Sequence, residues 1–207
     1  MTEYLTPQES FWAGDFGDDY GRRNVGEQLL AANLALFANV FRGRLAPESV
    51  IELRANIGMN LRALKLLFPA AQLSAVEINQ AAAKELESLI DPANVHHQSI
   101  LSWNPAREWD LVLIKGVLIH LSPEHLASVY GTMAAASGRY VLICEAFNPT
   151  PMEVEYRGHR NRFFKRDWCS EFLQVAPEFA LLDYGFAYRN DPAFPGDDFN
   201  WVLLLRR

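Results

Sequence analysis

The hydrophobic positions of this chain form short apolar runs that alternate with longer stretches of helical spacing from residue 49 onward. The apolar runs predict seven strands, over residues 49–53, 73–76, 94–97, 110–116, 139–145, 179–188 and 199–205. Apolar residues at helical spacing predict helices over residues 58–68, 79–90, 122–136 and 163–175. This alternation predicts an α/β three-layer sandwich.

Two features of the predicted strands indicate the kind of sheet. Residues 110–116, with the sequence DLVLIKG, are almost continuously apolar, which is typical of a central strand covered by helices on both faces. No long helix separates the last two predicted strands, so these are expected to form an antiparallel hairpin. We therefore predict a mostly parallel seven-stranded sheet with a C-terminal antiparallel hairpin.

The first 48 residues lie outside this alternation. Residues 1–22, which include the stretch FWAGDFGDDYG, have no clean period, and we interpret them as an irregular arm. Residues 23–42 have roughly helical apolar spacing that ends at Gly43. Because the sequence has no repeat, low-complexity tract or long linker, residues 1–207 are predicted to form a single domain, with residues 1–48 as a lid.

The composition limits the classes of function and the compartment. Nineteen Lys and Arg residues against twenty-five Asp and Glu residues give a formal net charge of −6, which argues against a nucleic-acid partner. The two cysteines, Cys144 and Cys169, cannot form a disulfide framework or a four-ligand zinc site. The N-terminal residues have no signal-peptide pattern, and the apolar stretch from Leu29 to Phe41 is too short to span a bilayer. These features predict a cytoplasmic protein with no membrane partner.

Candidate binding residues stand just after the predicted strands, where an open parallel sheet binds its ligands. The first strand leads into ELRANIGMN, residues 52–60, a strand–turn–helix junction whose helix N-terminus favours anionic groups. Glu77 closes the second strand, where a carboxylate can accept both hydroxyls of a ribose. Together these features favour a nucleoside ligand; the alternatives are an ordinary turn and a solvated charge.

The third and fourth strands end in further candidates. In residues 96–101, HHQSIL, Ser99 can hydrogen-bond an adenine edge while Ile100 packs on its face. The two adjacent histidines of this segment would point to opposite faces of a strand and cannot chelate one metal, so no metal site is predicted. The fourth strand ends at Lys115 and Gly116, where the glycine permits close approach of a ligand.

These features, in this order, resemble the class I S-adenosylmethionine-dependent methyltransferases. ELRANIGMN is similar to their motif I, Glu77 to their ribose-binding acid, and DLVLIKGVLIHLSP to their motif IV region. More narrowly, FWAGDFGDDYGRRN, VEIN, IKGVLIHLSP and EYRGHRNRFFKRDW resemble the pseudaminic-acid-biosynthesis-associated methylases, over about residues 11–201. The resemblance implies a Rossmann-like fold, S-adenosyl-L-methionine as the cofactor and a small-molecule substrate.

The strand ends and the resemblance together give a set of predicted cofactor-binding residues: Glu52, Arg54, Asn56, Gly58, Glu77, Ile78, Ser99, Ile100, Lys115 and Gly116. The family pattern in motif I is ELGANIG, so Arg54 stands where the first glycine would be. A long cationic side chain there would either crowd the methionine end of the cofactor or pair with its carboxylate. Three hypotheses follow: a tolerated variant with a rearranged loop, a weakened cofactor site, or a site that uses the cofactor differently.

Two segments are expected to cover the pocket: the N-terminal arm, and residues 146–168 as a substrate-side insertion. The insertion contains YRGHRNRFFKRDW, whose guanidinium groups are suited to carboxylates and phosphates. The predicted substrate-binding residues are Tyr20, Arg23, Asn24, Arg157 and Arg162, and the predicted catalytic residues are Tyr156, His159 and His120. Asp197, Asp198 and Asn200 precede the last strand, where we favour a simple hairpin loop over a border of the pocket.

The predicted function is N- or O-methylation of a small, anionic metabolite. One alternative keeps the same cofactor but moves no methyl group: its aminobutyrate arm cyclises internally and methylthioadenosine is released. Another alternative is a non-catalytic nucleoside-binding protein that has kept the fold. An NAD-dependent reductase is disfavoured because the three-glycine fingerprint is missing.

Overall fold

The computed structural model describes residues 6–156, 158 and 161–207, and it contains nine strands within them. These are β1 (Ser49–Leu53), β2 (Gln72–Glu77), β3 (Val95–His97), β4 (Trp109–Lys115), β5 (Ser137–Glu145), β6 (Met152–Glu153), β7 (Phe164–Lys165), β8 (Phe179–Ala187) and β9 (Phe199–Arg206). Seven of them form one sheet in the order β3-β2-β1-β4-β5-β9-β8, and β6 pairs with β7 separately. Each of the seven predicted strands is present, with ends within two residues of those predicted.

The direction of the strands is also as predicted. β1 pairs in parallel with β2 and β4, β3 in parallel with β2, and β5 in parallel with β4. β9 is antiparallel to both β5 and β8, so the last two strands form the expected hairpin. The mostly parallel sheet with a C-terminal antiparallel hairpin is confirmed.

Seven α-helices accompany these strands in the described residues: α1 (Pro7–Ala13), α2 (Asp15–Arg23), α3 (Glu27–Val40), α4 (Met59–Leu67), α5 (Gln80–Leu86), α6 (Leu126–Ala136) and α7 (Trp168–Val175). Short 3-10 turns occupy Pro92–Asn94, Leu118–His120 and Pro123–His125. None of the helices within the described ranges is long and apolar enough to cross a membrane.

The sheet separates two apolar layers because successive side chains of a strand point to opposite faces. On one face Ile51, Val112 and Ile114 pack among the buried residues of α6 and α7. On the other face Leu111 and Leu113 pack among the buried residues of α3, α4 and α5. The predicted three-layer sandwich is therefore confirmed, and its parallel centre is buried on both sides.

The interpretation of residues 1–22 as irregular is wrong for its described part, which forms α1 and α2. Thr6 caps α1: its hydroxyl accepts a hydrogen bond from the Glu9 amide at 3.1 Å, and Glu9 Oε2 accepts one from the Thr6 amide at 2.8 Å. This reciprocal pair is a capping box, and its signature is the Thr-x-x-Glu spacing that precedes Phe11. The two helices are short, seven and nine residues, and they pack on each other through aromatic rings. The sequence does not predict these helices because the apolar period of each is brief.

The predicted helix over residues 163–175 is wrong for its first five residues. Phe164 and Lys165 form β7, which pairs with β6, and the helix α7 begins at Trp168. Asp167 caps α7, its carboxylate accepting a hydrogen bond from the Ser170 amide at 3.0 Å. The adjacent apolar rings before Asp167 extend the apparent helical pattern beyond its real start.

Candidate active site

A cavity lies at the C-terminal ends of β1, β2 and β4, and we call it the main cavity. It encloses about 850 Å³, counting the space open to solvent at its mouth. Its lining includes Glu52, Arg54, Glu77, Lys115 and Gly116, all five predicted as cofactor contacts. β1 and β4 are neighbours whose following connections lead to opposite edges of the sheet, so the cavity lies where the strand order reverses. Open α/β sheets bind their ligands at this position.

Glu77 lies at the cavity wall with only 4% of its surface exposed. Its Oε2 accepts a hydrogen bond from the Asn56 amide at 2.7 Å, and its Oε1 accepts one from the Asn79 amide at 2.8 Å. A carboxylate has about four acceptor sites, so each oxygen keeps capacity for one more donor. The two backbone bonds fix the orientation of the carboxylate, and the remaining sites suit a pair of adjacent hydroxyls.

Asn79 and Asn56 support this position of Glu77 from the two flanking loops. The Asn79 side chain caps α5, because its Oδ1 accepts a hydrogen bond from the Ala82 amide at 2.9 Å. Its Nδ2 donates to the Asp18 carboxylate of α2 at 2.7 Å. This bond connects the second N-terminal helix to the end of β2 and thus to the cavity.

Glu52 and Asn60 present unused acceptor atoms on the same lining. The Asn60 amide nitrogen donates to Glu52 Oε1 at 2.6 Å, while Glu52 Oε2 and Asn60 Oδ1 are buried without a hydrogen bond to any described residue. Buried acceptors of this kind are uncommon in folded proteins and indicate a missing donor. Both residues line the main cavity, so a ligand with several N–H groups can supply it.

Burial raises the pKa of Glu52 to about 8, against the lowering effect of its bond from Asn60 and of the Lys115 charge. A carboxyl with a higher pKa in the folded than in the unfolded chain stabilises the fold below the unfolded value, near 4.5. This contribution is lost as the pH rises through about 8, where the folded group also ionises. The Glu52 carboxyl is thus largely protonated at neutral pH.

The Glu52→Gln variant is therefore expected to lose less stability than the wild type between about pH 5 and about pH 8. The difference in the free energy of unfolding should be a few kcal/mol, in favour of the variant at the higher pH. Urea unfolding at the two pH values measures it, with Glu85→Gln, an exposed glutamate on α5, as the matched control. Equal pH dependence in the wild type and Glu52→Gln would show that Glu52 does not titrate in this range.

Arg54 follows β1 in a left-handed backbone conformation, with φ at 60°, which an L-residue adopts at a cost of roughly 1 kcal/mol. Its guanidinium carbon lies 5.0 Å from the centre of the Trp12 ring in a cation–π contact. Burial lowers the pKa of Arg54, and the charge of Glu77 opposes this effect. The ion pairs of the described residues do not include Arg54, so its guanidinium lines the main cavity without a salt bridge to a described carboxylate.

Arg54 also borders a second, smaller cavity, lined in part by Ile78, Ser99 and Ile100. The Ser99 hydroxyl donates a hydrogen bond to the Glu9 carboxylate of α1. Helix α1 therefore covers the predicted adenine contacts, and the Ser99 hydroxyl is engaged by the protein itself. The small cavity and the main cavity meet at Arg54.

Gly58 is the one predicted cofactor residue that the structure places in packed surroundings. A Cβ atom at Gly58 would lie 2.8 Å from side-chain carbons of both Leu86 and Leu89, and its φ of 81° is left-handed. Gly58 is not among the lining residues of either cavity. Glycine is thus required for the close approach of α4 to the end of α5 and for the turn geometry.

Lys115 and Asp197 form an ion pair at the mouth of the main cavity, with Nζ and Oδ2 3.2 Å apart. Burial disfavours the charged ammonium of Lys115, but Asp197, Cys144 and Tyr20 together outweigh this effect, and the pKa of Lys115 is raised. Asp197 comes from the loop before β9 and lines the cavity, so its interpretation as part of a simple hairpin loop is wrong. The β8–β9 hairpin therefore contributes to the site.

Glu145, at the end of β5, positions the loop that follows β4. Its Oε1 accepts hydrogen bonds from the amides of Val117 at 2.8 Å and Leu118 at 2.9 Å. Burial raises the pKa of Glu145 to about 7 even though these amide bonds lower it. Sequence analysis does not identify this residue, because only the pairing of β4 with β5 brings it to the loop.

The N-terminal helices supply part of the lining. Tyr20 and Asn24 line the main cavity, as predicted for substrate-side residues, and the Asn24 amide nitrogen donates to the Tyr20 carbonyl oxygen at 2.8 Å. Burial raises the pKa of the Tyr20 hydroxyl, which keeps it protonated. Arg23 is exposed and its guanidinium lies 5.8 Å from the Phe16 ring centre, outside the cavity lining.

His120 packs in an aromatic cluster behind Trp12. Its ring centre lies 4.9 Å from that of Trp12, 5.1 Å from that of Tyr156 and 5.7 Å from that of Phe163. His120 Nδ1 lies 2.6 Å from the Arg162 carbonyl oxygen, an acceptor, so this nitrogen carries the proton. Burial lowers the pKa of His120 to about 4, and the ring is neutral at neutral pH.

The remaining predicted residues contribute less to the described geometry. The Arg162 guanidinium lies 5.8 Å from the Phe11 ring centre, and Tyr156 stacks on Phe163 with ring centres 5.7 Å apart. Arg157 and His159 lie outside the described residues. Contacts of Tyr156, His120 and His159 with a substrate remain predictions.

The fold is similar to those of several solved methyltransferases. The 1,6-didemethyltoxoflavin-N1-methyltransferase of Burkholderia thailandensis, solved with 1,6-didemethyltoxoflavin and S-adenosylhomocysteine, has a TM-score of 0.72 at 13% identity, covering 100% of this chain and 92% of that one. Magnesium protoporphyrin IX methyltransferase (ChlM) of Synechocystis PCC 6803 with bound SAM has a TM-score of 0.70 at 13% identity, covering 100% of both chains. The DhpI–SAH complex has a TM-score of 0.63 at 20% identity, covering 96% of this chain and 95% of that one.

At these identities the similarity defines the fold: the chain has the Rossmann-like fold of the S-adenosylmethionine-dependent methyltransferases. No protein-family model and no curated protein sequence matches it. The narrower resemblance to the pseudaminic-acid-associated methylases therefore stays a prediction.

Proposed function

We propose that this protein is an S-adenosylmethionine-dependent methyltransferase that acts on a small molecule at nitrogen or oxygen. The observation that carries the proposal is the set of groups that can still bind a ligand on the main cavity: the free acceptor sites of Glu77, the Glu52 and Asn60 acceptors, and the Arg54 guanidinium, which forms no salt bridge with a described carboxylate. The similarity of fold to solved methyltransferases supports it.

Each of these groups suits one part of the cofactor. The free acceptor sites of Glu77 suit the two ribose hydroxyls, as in other open α/β sheets that bind nucleosides. The orphan acceptors of Glu52 and Asn60 suit the α-ammonium group, and the Arg54 guanidinium suits the α-carboxylate. The residues present therefore fit the cofactor, and Arg54 pairs with its methionine end in this proposal.

When bound, S-adenosylmethionine supplies an electrophilic methyl group on a sulfonium centre. The contribution of the protein is proximity and orientation for an in-line displacement. Tyr20 and Lys115, both protonated, are hydrogen-bond donors on the lining, so they orient an acceptor rather than remove its proton. If His120 acts as the base, Nε2 is the nitrogen that accepts the proton, because Nδ1–H is held by the Arg162 carbonyl.

The proposal does not extend to an anionic acceptor. That prediction depends on the cationic residues of the insertion, and of these the Arg166 guanidinium is held by Glu171, with Nε 2.7 Å from Oε1. The Arg162 guanidinium lies over an aromatic ring. Of the two described cations on the main cavity, Lys115 pairs with Asp197 and Arg54 is assigned to the cofactor carboxylate.

Incubation of the protein with S-adenosylmethionine and a panel of small phenols, amines and hydroxy acids tests the proposal by mass spectrometry. The expected products are S-adenosylhomocysteine and an acceptor heavier by one methylene unit. Methylthioadenosine formed with cofactor alone would instead support internal cyclisation of the aminobutyrate arm. The positions of Arg54 and Trp12 suit that arm in either reaction. Binding of the cofactor without turnover of any kind would support the non-catalytic alternative.

A further inference from the structure

A second large cavity lies between α3 and the β8–β9 hairpin, and we call it the hairpin pocket. It encloses about 800 Å³, counting space open to solvent, and its aromatic lining consists of Phe186, Tyr188, Phe194, Phe199 and Trp201. Three of these rings are about half exposed: Phe186 (54%), Tyr188 (50%) and Phe194 (51%). Apolar cavities with a few convergent polar groups are typical of small-molecule sites.

The hairpin pocket is continuous with the main cavity. Leu29, Asn33, Lys115 and Asp197 line both of them, so these four residues form a neck between the two. A molecule in the hairpin pocket can therefore present one end to the main cavity. This connection distinguishes the pocket from the other exposed aromatic surface, around Tyr184 on β8.

Asn33 provides the polar group at the neck. It lies on α3 with only 3% of its surface exposed. A carboxamide carries two donors and an acceptor that a ligand can use. Since Asn33 lines both cavities, its amide can meet a ligand at the neck.

The charges at the neck are balanced within the protein. Lys115 is 13% exposed in its side chain and pairs with Asp197, so neither charge requires a counter-ion from a ligand. The neutral amide side chains of the lining are those of Asn33 and Asn39, and its other carboxylate, Asp191, already accepts hydrogen bonds from the amides of Ala193 and Phe194. This combination favours a neutral ring that carries a hydrogen-bonding group over a carboxylate or a phosphate.

We propose that the hairpin pocket is the acceptor subsite and binds a neutral aromatic molecule that carries a hydroxyl or an amine, with Asn33 holding that group at the neck. The assignment as an acceptor subsite rests on the proposed function; binding of the aromatic ring does not. The methyl-accepting oxygen or nitrogen is thereby placed beside Lys115 and faces the cavity assigned to the cofactor.

The test uses fluorine NMR with 4-fluorophenol as the probe, compared with 4-fluorobenzoate and fluorobenzene. We expect saturable binding of 4-fluorophenol to the full chain and weaker binding of 4-fluorobenzoate. Phe194→Ala should weaken 4-fluorophenol about fivefold by removing an exposed ring of the wall, and Tyr184→Ala, the matched exposed aromatic outside the pocket, should not. Asn33→Leu should weaken 4-fluorophenol by a similar factor but leave fluorobenzene unchanged.

The proposal is overturned if 4-fluorophenol does not bind, if 4-fluorobenzoate binds more tightly, or if Tyr184→Ala weakens the phenol as much as Phe194→Ala does. Phe194 lies on an exposed loop, so Phe194→Ala is expected to fold. The binding measurements with Phe194→Ala therefore test the proposal even if Asn33→Leu is unstable. A parallel calorimetric titration with S-adenosylhomocysteine separates the two proposals. Binding of 4-fluorophenol without binding of S-adenosylhomocysteine would retain the aromatic pocket and remove its role as an acceptor subsite.

Discussion

Replacing Glu77 by alanine is expected to weaken the binding of S-adenosylhomocysteine about 100-fold. The loss corresponds to about 3 kcal/mol, the sum of two charge-assisted hydrogen bonds to the ribose hydroxyls. The carboxylate has its two backbone bonds already in place, from Asn56 and Asn79, so it is oriented before the ligand arrives. Isothermal titration calorimetry of the wild type and the variant measures the difference.

The Glu77→Ala variant needs a control for folding, because the carboxylate also supports the loops after β1 and β2. Glu85→Ala, on the exposed side of α5, removes a carboxylate without touching the main cavity and should leave the affinity unchanged. Thermal unfolding without ligand shows whether Glu77→Ala remains folded at the titration temperature. A folded Glu77→Ala protein that binds S-adenosylhomocysteine within threefold of the wild type would contradict the role of Glu77.

Replacing Arg54 by methionine is expected to weaken S-adenosylhomocysteine about 10- to 100-fold and to change the affinity for methylthioadenosine less than about twofold. Methylthioadenosine lacks the amino-acid end, so it cannot gain from a guanidinium that pairs with the α-carboxylate. Methionine keeps much of the hydrophobic volume against Trp12. Calorimetric titration of both ligands measures the two ratios, and Arg42→Met, an exposed arginine, is the matched control.

The Arg54→Gly variant separates the two effects that the sequence leaves open. Crowding of the methionine end predicts that glycine tightens S-adenosylhomocysteine binding, whereas pairing predicts that glycine weakens it. Glycine also relieves the left-handed backbone at this position, so the variant is expected to be at least as stable as the wild type. Tighter binding by Arg54→Gly would overturn the assignment of Arg54 to the cofactor carboxylate.

The sheet could be predicted from sequence because its buried parallel strands leave an unambiguous apolar pattern, as in residues 110–116. The same reasoning finds the cavity residues at the carboxyl ends of the strands, such as Glu52, Glu77 and Lys115, since parallel strands place these ends at one edge. The N-terminal helices are concealed because they are short, seven and nine residues, and are interrupted at Gly14. Their capping box at Thr6 is the local signal that could have found α1.

Residues that reach the site through long-range contacts could not be found in this way. Asp197 meets Lys115 across 82 positions of sequence, and Glu145 reaches the loop after β4 only because β5 pairs beside it. Asn33 has a polar side chain within an apolar helical pattern, and nothing local shows that it borders a cavity rather than solvent. The position of the Arg54 guanidinium likewise depends on Trp12, which only the fold brings over it.

The most direct test of the central claim is a crystal structure of the protein grown with saturating S-adenosylhomocysteine. We expect both ribose hydroxyls within hydrogen-bonding distance of the Glu77 carboxylate, the α-carboxylate at Arg54 and the α-ammonium at Glu52 and Asn60. Density for the ligand away from the ends of β1 and β2, or an unliganded main cavity under these conditions, would contradict the account.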